Sequence, residues 1–179
     1  MSKTPQLETD RLRLRERVPE DAVSLFPTMS DPDAMHWWSR PPYASIEDGL
    51  EDFSRFSDSW RSWAILDKRD DAVIGFVAAG EKRQGKVVEI GYLLAHSHWG
   101  GGFAREAVRA VIDQLFAEGN RRVFADTDPE NAGSRRLLES LGFQLEGTLR
   151  GEWETHIGVR DSVIYGLLAS DWPDAPRPA

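Results

Sequence analysis

Between Val87 and Phe116 the chain changes its hydrophobic pattern at three consecutive glycines. Upstream, Val87 to Leu94 is a run of strand formers. Downstream, Ala104, Ala107, Val108, Val111, Ile112, Leu115 and Phe116 recur at the spacing of one helix face, and Gly119-Asn120 closes it. A strand handing over to a helix through Gly100, Gly101 and Gly102 points to a mixed α/β fold. The first N–H groups of such a helix have no intrahelical partner and sit at the positive end of its dipole. Glycines there permit positive φ and let an anion approach the backbone. The stretch reads either as a phosphate cradle or as a flexible turn.

The remaining pattern extends the α/β reading. Leu7 to Val18 alternates, with Leu12, Leu14 and Val18 on one face and arginines on the other, which predicts a half-buried strand. Pro19-Glu20-Asp21 opens a helix to about Met29, and Ser45 to about Ser59 predicts a second, with Ile46, Leu50, Phe53 and Phe56 on one face. Trp63–Leu66, Ala72–Ala79 and Val87–Leu94 are strand-like runs joined by short polar turns, hence antiparallel neighbours. Val123 to Thr127 predicts a strand. Asn131 to Leu141 predicts a helix stopped by Gly142, and two strands follow, Phe143–Trp153 and Asp161–Leu168. The expected order is β-α-α-β-β-β-α-β-α-β-β in a single domain over residues 1–179, with core 7–172 and a proline-rich tail at 173–179.

Composition narrows function. A net charge of −8 argues against general nucleic-acid binding, which needs phosphates to be neutralised. The chain has no cysteine, so disulfides, thiolate catalysis and thiolate metal sites are excluded. No apolar run is long enough for a bilayer, and the N-terminus lacks a signal-peptide core. A cytoplasmic protein without a membrane partner is expected. His96 and His98 have no third ligand at suitable spacing, so no metal is expected.

The glycines do not complete either common nucleotide motif. No Lys-Ser or Lys-Thr follows them, and GGGFAR places Arg105 where the dinucleotide fingerprint needs glycine. The stretch Trp99-Gly-Gly-Gly102-Phe-Ala104 instead resembles the [QR]xxGx[GA] motif of the GNAT superfamily of acyl-CoA-dependent N-acyltransferases, with Trp99 departing from the Gln/Arg position. Downstream, Asn131-Ala-Gly-Ser134 through Gly142-Phe143 is similar to that family's NxxSxxxxxxxGF. The opening LETDRLRLRE and the ending RDSVIYGLLASDW resemble the RimJ/RimL branch, which acetylates ribosomal-protein N-termini; the resemblance spans residues 7–172.

That resemblance implies acetyl-CoA as co-substrate, a primary amine of a protein or peptide N-terminus as acceptor, and a monomer or homodimer; the alternatives are a small-molecule amine acceptor (polyamine, amino acid or aminoglycoside) and a non-catalytic acyl-CoA-binding module. It implies that the family's fourth and fifth strands, here Val87–Ala95 and Val123–Thr127, splay to admit pantetheine. A backbone N–H near Leu93 would polarise the thioester carbonyl, and Leu93, Leu94 and Ala95 would pair with the arm. Gly100, Gly101, Gly102, Phe103, Ala104 and Arg105 would hold the pyrophosphate. Arg105, Arg109, Arg135 and Arg136 are candidate phosphate partners or solvated helix faces. Asn131 would cap its helix and bond the pantetheine amide.

Glu89, the acid within the fourth strand, matches a general base and reads equally as an outward-facing strand residue. Ser134 matches a hydroxyl that can protonate the leaving thiolate, and also falls in the first turn of a helix. Tyr92, Leu93 and Leu94 read as core in their side chains, as do Tyr165 and Trp172. Trp38 and Tyr43, in MHWWSRPPY, and Glu152 are the candidate acceptor-binding residues.

Overall fold

A computed structural model describes residues 4–55, 59–83 and 85–173. Phe56 and the tail beyond residue 173 lie outside these residues. The strands are β1 (Leu7–Glu8), β2 (Leu12–Glu16), β3 (Trp60–Asp67), β4 (Val73–Arg83), β5 (Val87–Leu94), β6 (Arg122–Thr127), β7 (Gln144–Thr155) and β8 (Gly158–Leu168). The helices are α1 (Asp21–Met29), α2 (Ile46–Ser54), α3 (Phe103–Ala117) and α4 (Ala132–Ser140). One sheet holds the strands in the order β1-β2-β3-β4-β5-β6-β8-β7. Its pairs are antiparallel except β5 with β6.

The expected order is present, with the first strand folded into two pieces. Thr9 makes the corner: its N–H donates to Leu12 O at 2.9 Å, and its hydroxyl accepts from Leu12 N–H at 2.9 Å. Val18 lies past the strand and is exposed. Helix α2 starts where expected, because Ser45 and Asp48 form a capping box, but it ends at Ser54 rather than near Ser59.

Alternation along the central strands builds a core on each face of the sheet. Val77, Ile90 and Leu94 pack with Leu12, Leu14 and Trp63, and with Ala107, Val108, Val111, Ile112, Leu115 and Phe116 of α3. Phe76 and Leu93 face the other way, onto Ala22, Leu25 and Met29 of α1 and Phe53 of α2. Gly119 and Gly142 follow α3 and α4 with φ of +81° and +88°, the left-handed geometry of a glycine stop. Tyr165 and Trp172 are packing residues as expected, with Tyr165 O–H donating to Glu139 at 2.6 Å and Trp172 Nε1–H to Asp113 at 2.6 Å.

Candidate active site

The site begins with the phase of one hydrogen-bond ladder. Ala95 donates its N–H to Ile74 O on β4 at 2.7 Å, and the β4–β5 register runs unshifted from Gly75↔Leu94 to Gly80↔Glu89. Antiparallel pairs alternate between exchanging both hydrogen bonds and exchanging none. Glu89, Gly91, Leu93 and Ala95 therefore turn their polar groups to β4, while Ile90, Tyr92 and Leu94 turn theirs away from it. On that side β6 pairs at Val87↔Arg122, Val88↔Val123 and Glu89↔Phe124, and then the strands part.

The splay expected for these strands is present, and its phase corrects two assignments. The N–H groups facing the gap belong to Tyr92 and Leu94, not Leu93. Ala95 cannot pair with an arm in the gap, since its N–H goes to Ile74 and its carbonyl accepts from His98 N–H at 2.9 Å. Trp99 Nε1–H occupies the Leu94 carbonyl at 2.8 Å, which explains what the Trp at the motif's Gln/Arg position does. Tyr92 N–H, Tyr92 C=O and Leu94 N–H remain to meet an extended amide-bearing chain.

A cleft of about 660 Å³ opens at the gap, lined by Leu93, Leu94, Trp99 and the start of α3. Gly100, Gly102, Phe103, Ala104 and Arg105 all reach it, and Gly101 does not. Gly100 and Gly102 have φ of +75° and +77°, whereas a Cβ on Gly101 would meet the Phe103 ring at 2.9 Å. Two of the glycines thus serve backbone conformation and the third serves close packing. Gly102 is the N-cap of α3 and supplies no side-chain cap, so the N–H groups of Phe103, Ala104 and Arg105 point outward unmatched by any side-chain oxygen.

The loop is anchored from the far end of the sequence. Glu106 accepts from Thr9 Oγ1 at 2.6 Å, Arg11 N–H at 3.0 Å and Arg11 Nε at 2.7 Å, and Arg11 Nη1 donates to Gly101 O at 2.9 Å. Burial pushes the Glu106 carboxyl up, but the bonds from Thr9 and Arg11 outweigh it and hold its pKa below the ordinary 4.5. A depressed carboxyl stabilises the fold above its unfolded value and loses that contribution as pH falls through the folded value. Glu106→Gln is therefore expected to cost about 1–2 kcal/mol at pH 7. Urea melts should show the gap to the parent protein narrowing toward about pH 3; a gap independent of pH would remove the charge from the anchor.

The opposite wall is the start of α4. Asn131 caps it, its Oδ1 accepting from Ser134 N–H at 3.0 Å, and both residues line the cleft. Ser134 Oγ lies 2.8 Å from Tyr92 Oη. Burial pushes the Tyr92 phenol up to about 12. Arg160 on β8 fastens the turn before α4: its Nε donates to Asp128 at 2.7 Å, its Nη2 reaches Asp128 and Glu130, and its guanidinium lies 5.7 Å from the Trp37 ring.

Of the four candidate arginines, Arg105 and Arg136 reach the cleft. Arg109 lies over Trp172, and Arg135 bonds Tyr165 and the Pro129 carbonyl. Trp38 lines the cleft, edge-on to Phe76. Tyr43 does not: its hydroxyl donates to Asp52 at 2.6 Å and Arg40 covers its ring at 3.6 Å, so it packs between α1 and α2. Glu152 lies exposed on the edge strand β7, outside the cleft lining. Glu89 stands at the apex of the splay, on the sheet face of Leu93, also outside the cleft lining, with Lys82 Nζ 3.5 Å from its carboxylate. Among the described residues no group of three His, Asp or Glu is placed to hold a metal ion, and no helix is long and apolar enough to cross a membrane.

The model of the acetyltransferase (GNAT) domain matches residues 11–144, three quarters of the chain and both walls of the cleft. The chain belongs to the GNAT acetyltransferase family. A relative in Bacillus licheniformis, the uncharacterized N-acetyltransferase p20, is 34% identical over 174 residues, covering 93% of this chain and 97% of that protein. A GCN5-related N-acetyltransferase from Brucella melitensis superposes with a TM-score of 0.84 at 27% identity, covering 96% of this chain and 82% of the other. The ribosomal-protein-S5-alanine acetyltransferase from Vibrio fischeri shares the fold, with a TM-score of 0.79 at 22% identity, covering 97% of this chain and all of that one. As a GNAT acetyltransferase, the protein is an acyl-transferring enzyme with acetyl-CoA as its acyl donor.

The residues present fit that donor: an extended chain of amides meets the gap-facing groups of Tyr92 and Leu94, and an anion meets the uncapped end of α3. Tyr92, Trp99, Arg11 and Glu106 were not singled out for these roles by sequence reasoning. The Tyr92 hydroxyl carries no motif of its own. The Arg11–Glu106 pair joins positions 95 residues apart, which local patterning cannot reveal.

Proposed function

We propose that the protein transfers the acetyl group of acetyl-CoA directly to a primary amine in a ternary complex, the acceptor being the α-amine of a protein or peptide N-terminus. The observation that carries this reading is the gap beyond Glu89, where a side-chain hydroxyl pair borders unpaired strand groups within one cleft. Tyr92 and Leu94 pair with the pantetheine arm, and a gap-facing N–H polarises the thioester carbonyl. Gly100, Gly102 and the N–H groups of Phe103, Ala104 and Arg105 hold the pyrophosphate, and Asn131 orients the start of α4. Glu89 takes up the amine proton through water, and Ser134 acts on the departing sulfur. Holding both substrates in attack geometry supplies much of the acceleration.

The same cleft is also lined by Trp38, Trp37 and Asp33. An N-terminal ammonium docks there before losing its proton, and the RimJ/RimL-like opening and ending of the chain support a peptide acceptor. The carboxylate of Asp33 on the same lining favours a second reading, a small polyamine.

An acceptor panel with mass-spectrometric detection of the acetylated product distinguishes the two. N-terminal peptides should release free thiol from acetyl-CoA faster than spermidine or an aminoglycoside. Turnover of polyamines alone would reverse the assignment, and no melting shift with saturating acetyl-CoA would end the transferase reading of this cleft.

A further inference from the structure

Tyr92 meets the site twice. Its main chain faces the gap, and its side chain crosses to the first turn of α4, where Tyr92 Oη and Ser134 Oγ lie 2.8 Å apart. Ser134 is constrained on its other side as well, since its N–H is held by Asn131 Oδ1. A lone serine hydroxyl at a helix N-terminus turns freely among local acceptors, the backbone of its own helix included. A phenol that donates to Ser134 Oγ fills one lone pair and leaves the serine proton to be directed elsewhere. The direction left open is the cleft, which both residues line.

We propose that Tyr92 and Ser134 form a fixed two-hydroxyl donor in which Tyr92 O–H donates to Ser134 Oγ and turns the Ser134 proton toward the sulfur that leaves the acetyl group. This rests on the acetyl-transfer reading and defines what the hydroxyl does. Ser134 stabilises the thiolate through a hydrogen bond and does not surrender its proton. As the N–C bond forms and the C–S bond breaks, the bonding pair goes to sulfur. The nitrogen sheds one proton, sulfur gains one through water, and both hydroxyls keep theirs.

The chemistry of the groups favours this division. An ordinary thiol has a pKa of about 8.5, and the Tyr92 phenol is pushed up to about 12 by burial. A thiolate is therefore too weak a base to strip either hydroxyl, yet it is a good hydrogen-bond acceptor from both kinds of donor. Tyr92 is a positioning residue and Ser134 the group that touches the reacting sulfur.

The test compares Tyr92→Phe, Ser134→Ala, Ser134→Thr and the Phe/Ala double variant, with acetyl-CoA affinity measured by calorimetry beside kcat for thiol release. Tyr92→Phe should lower kcat about tenfold, the loss of one well-placed hydrogen bond, with acetyl-CoA affinity and KM unchanged. Ser134→Ala should lower kcat at least as far, Ser134→Thr should keep most of it, and the double variant should be no slower than Ser134→Ala. The alkaline limb of the kcat profile should not move in Tyr92→Phe, because no hydroxyl titrates during turnover.

Full kcat in Tyr92→Phe would overturn the pair, as would losses that multiply in the double variant. If Tyr92→Phe folds poorly, an inactive Ser134→Thr or a shifted alkaline limb in Ser134→Ala would overturn it independently. Absence of acetyl-CoA binding or thiol release in the parent protein would instead sink the transferase reading beneath it.

Discussion

Gly102→Val should weaken acetyl-CoA binding by about 100-fold, close to 2.7 kcal/mol. Gly102 holds φ at +77° as the N-cap of α3. A Cβ there meets only Arg11 Nη2 at 3.5 Å, an ordinary contact, so the obstacle is conformation rather than space. A β-branched residue is a poor occupant of the left-handed region, and relief of that strain would rotate the peptide that aims the N–H groups of Phe103, Ala104 and Arg105. Gly102→Ala, with its smaller penalty, should fall between valine and the parent protein. The melting temperature in the absence of ligand should drop only a few degrees, since strain of this kind costs about 1–3 kcal/mol. Calorimetric affinity within threefold of the parent would show that the α3 terminus does not hold the phosphates.

Trp63→Ala should cost about 3–5 kcal/mol of folding stability and leave the turnover of the folded fraction unchanged. Trp63 is fully buried on β3, flanked by Glu16 of β2 and Val77 of β4. Its indole N–H donates to Pro5 O at 2.8 Å, which pins the segment entering β1. Truncation therefore opens a large void and orphans a carbonyl together. At roughly 2–4 °C per kcal/mol for a chain of this size, the melt should fall by about 6–20 °C. Trp63→Phe, which fills most of the volume but loses the hydrogen bond, should cost less than half as much. Urea unfolding within about 1 kcal/mol of the parent would mean that the sheet relaxes around the gap far more than close-packed interiors do.

How much of this was legible depended on how local the physics was. The apolar stripe of α3, the start of α2 at Ser45 and the stops at Gly119 and Gly142 are decided within a few residues, and each stands where the pattern places it. The antiparallel run β3–β4–β5 follows from short polar connections. The corner at Thr9 is hidden because Leu12 and Leu14 carry the alternation of β2 alone, while β1, two residues long, shows no pattern of its own. Tyr43 was misplaced because an aromatic-rich loop reads alike whether its rings floor a cleft or fill a core; Asp52 and Arg40 settle it by enclosing the phenol.

The element order and the motifs at Gly100–Ala104 and Asn131–Ser134 are legible in the residues alone, since each is set by local spacing and backbone permissiveness. Which polar groups of β5 face the gap is set by folding, because ladder phase belongs to the pairing of β4 with β5 and leaves no mark on residue types. The same holds for Tyr92 and Ser134, 42 positions apart, whose hydroxyls meet because β5 and α4 converge on one cleft.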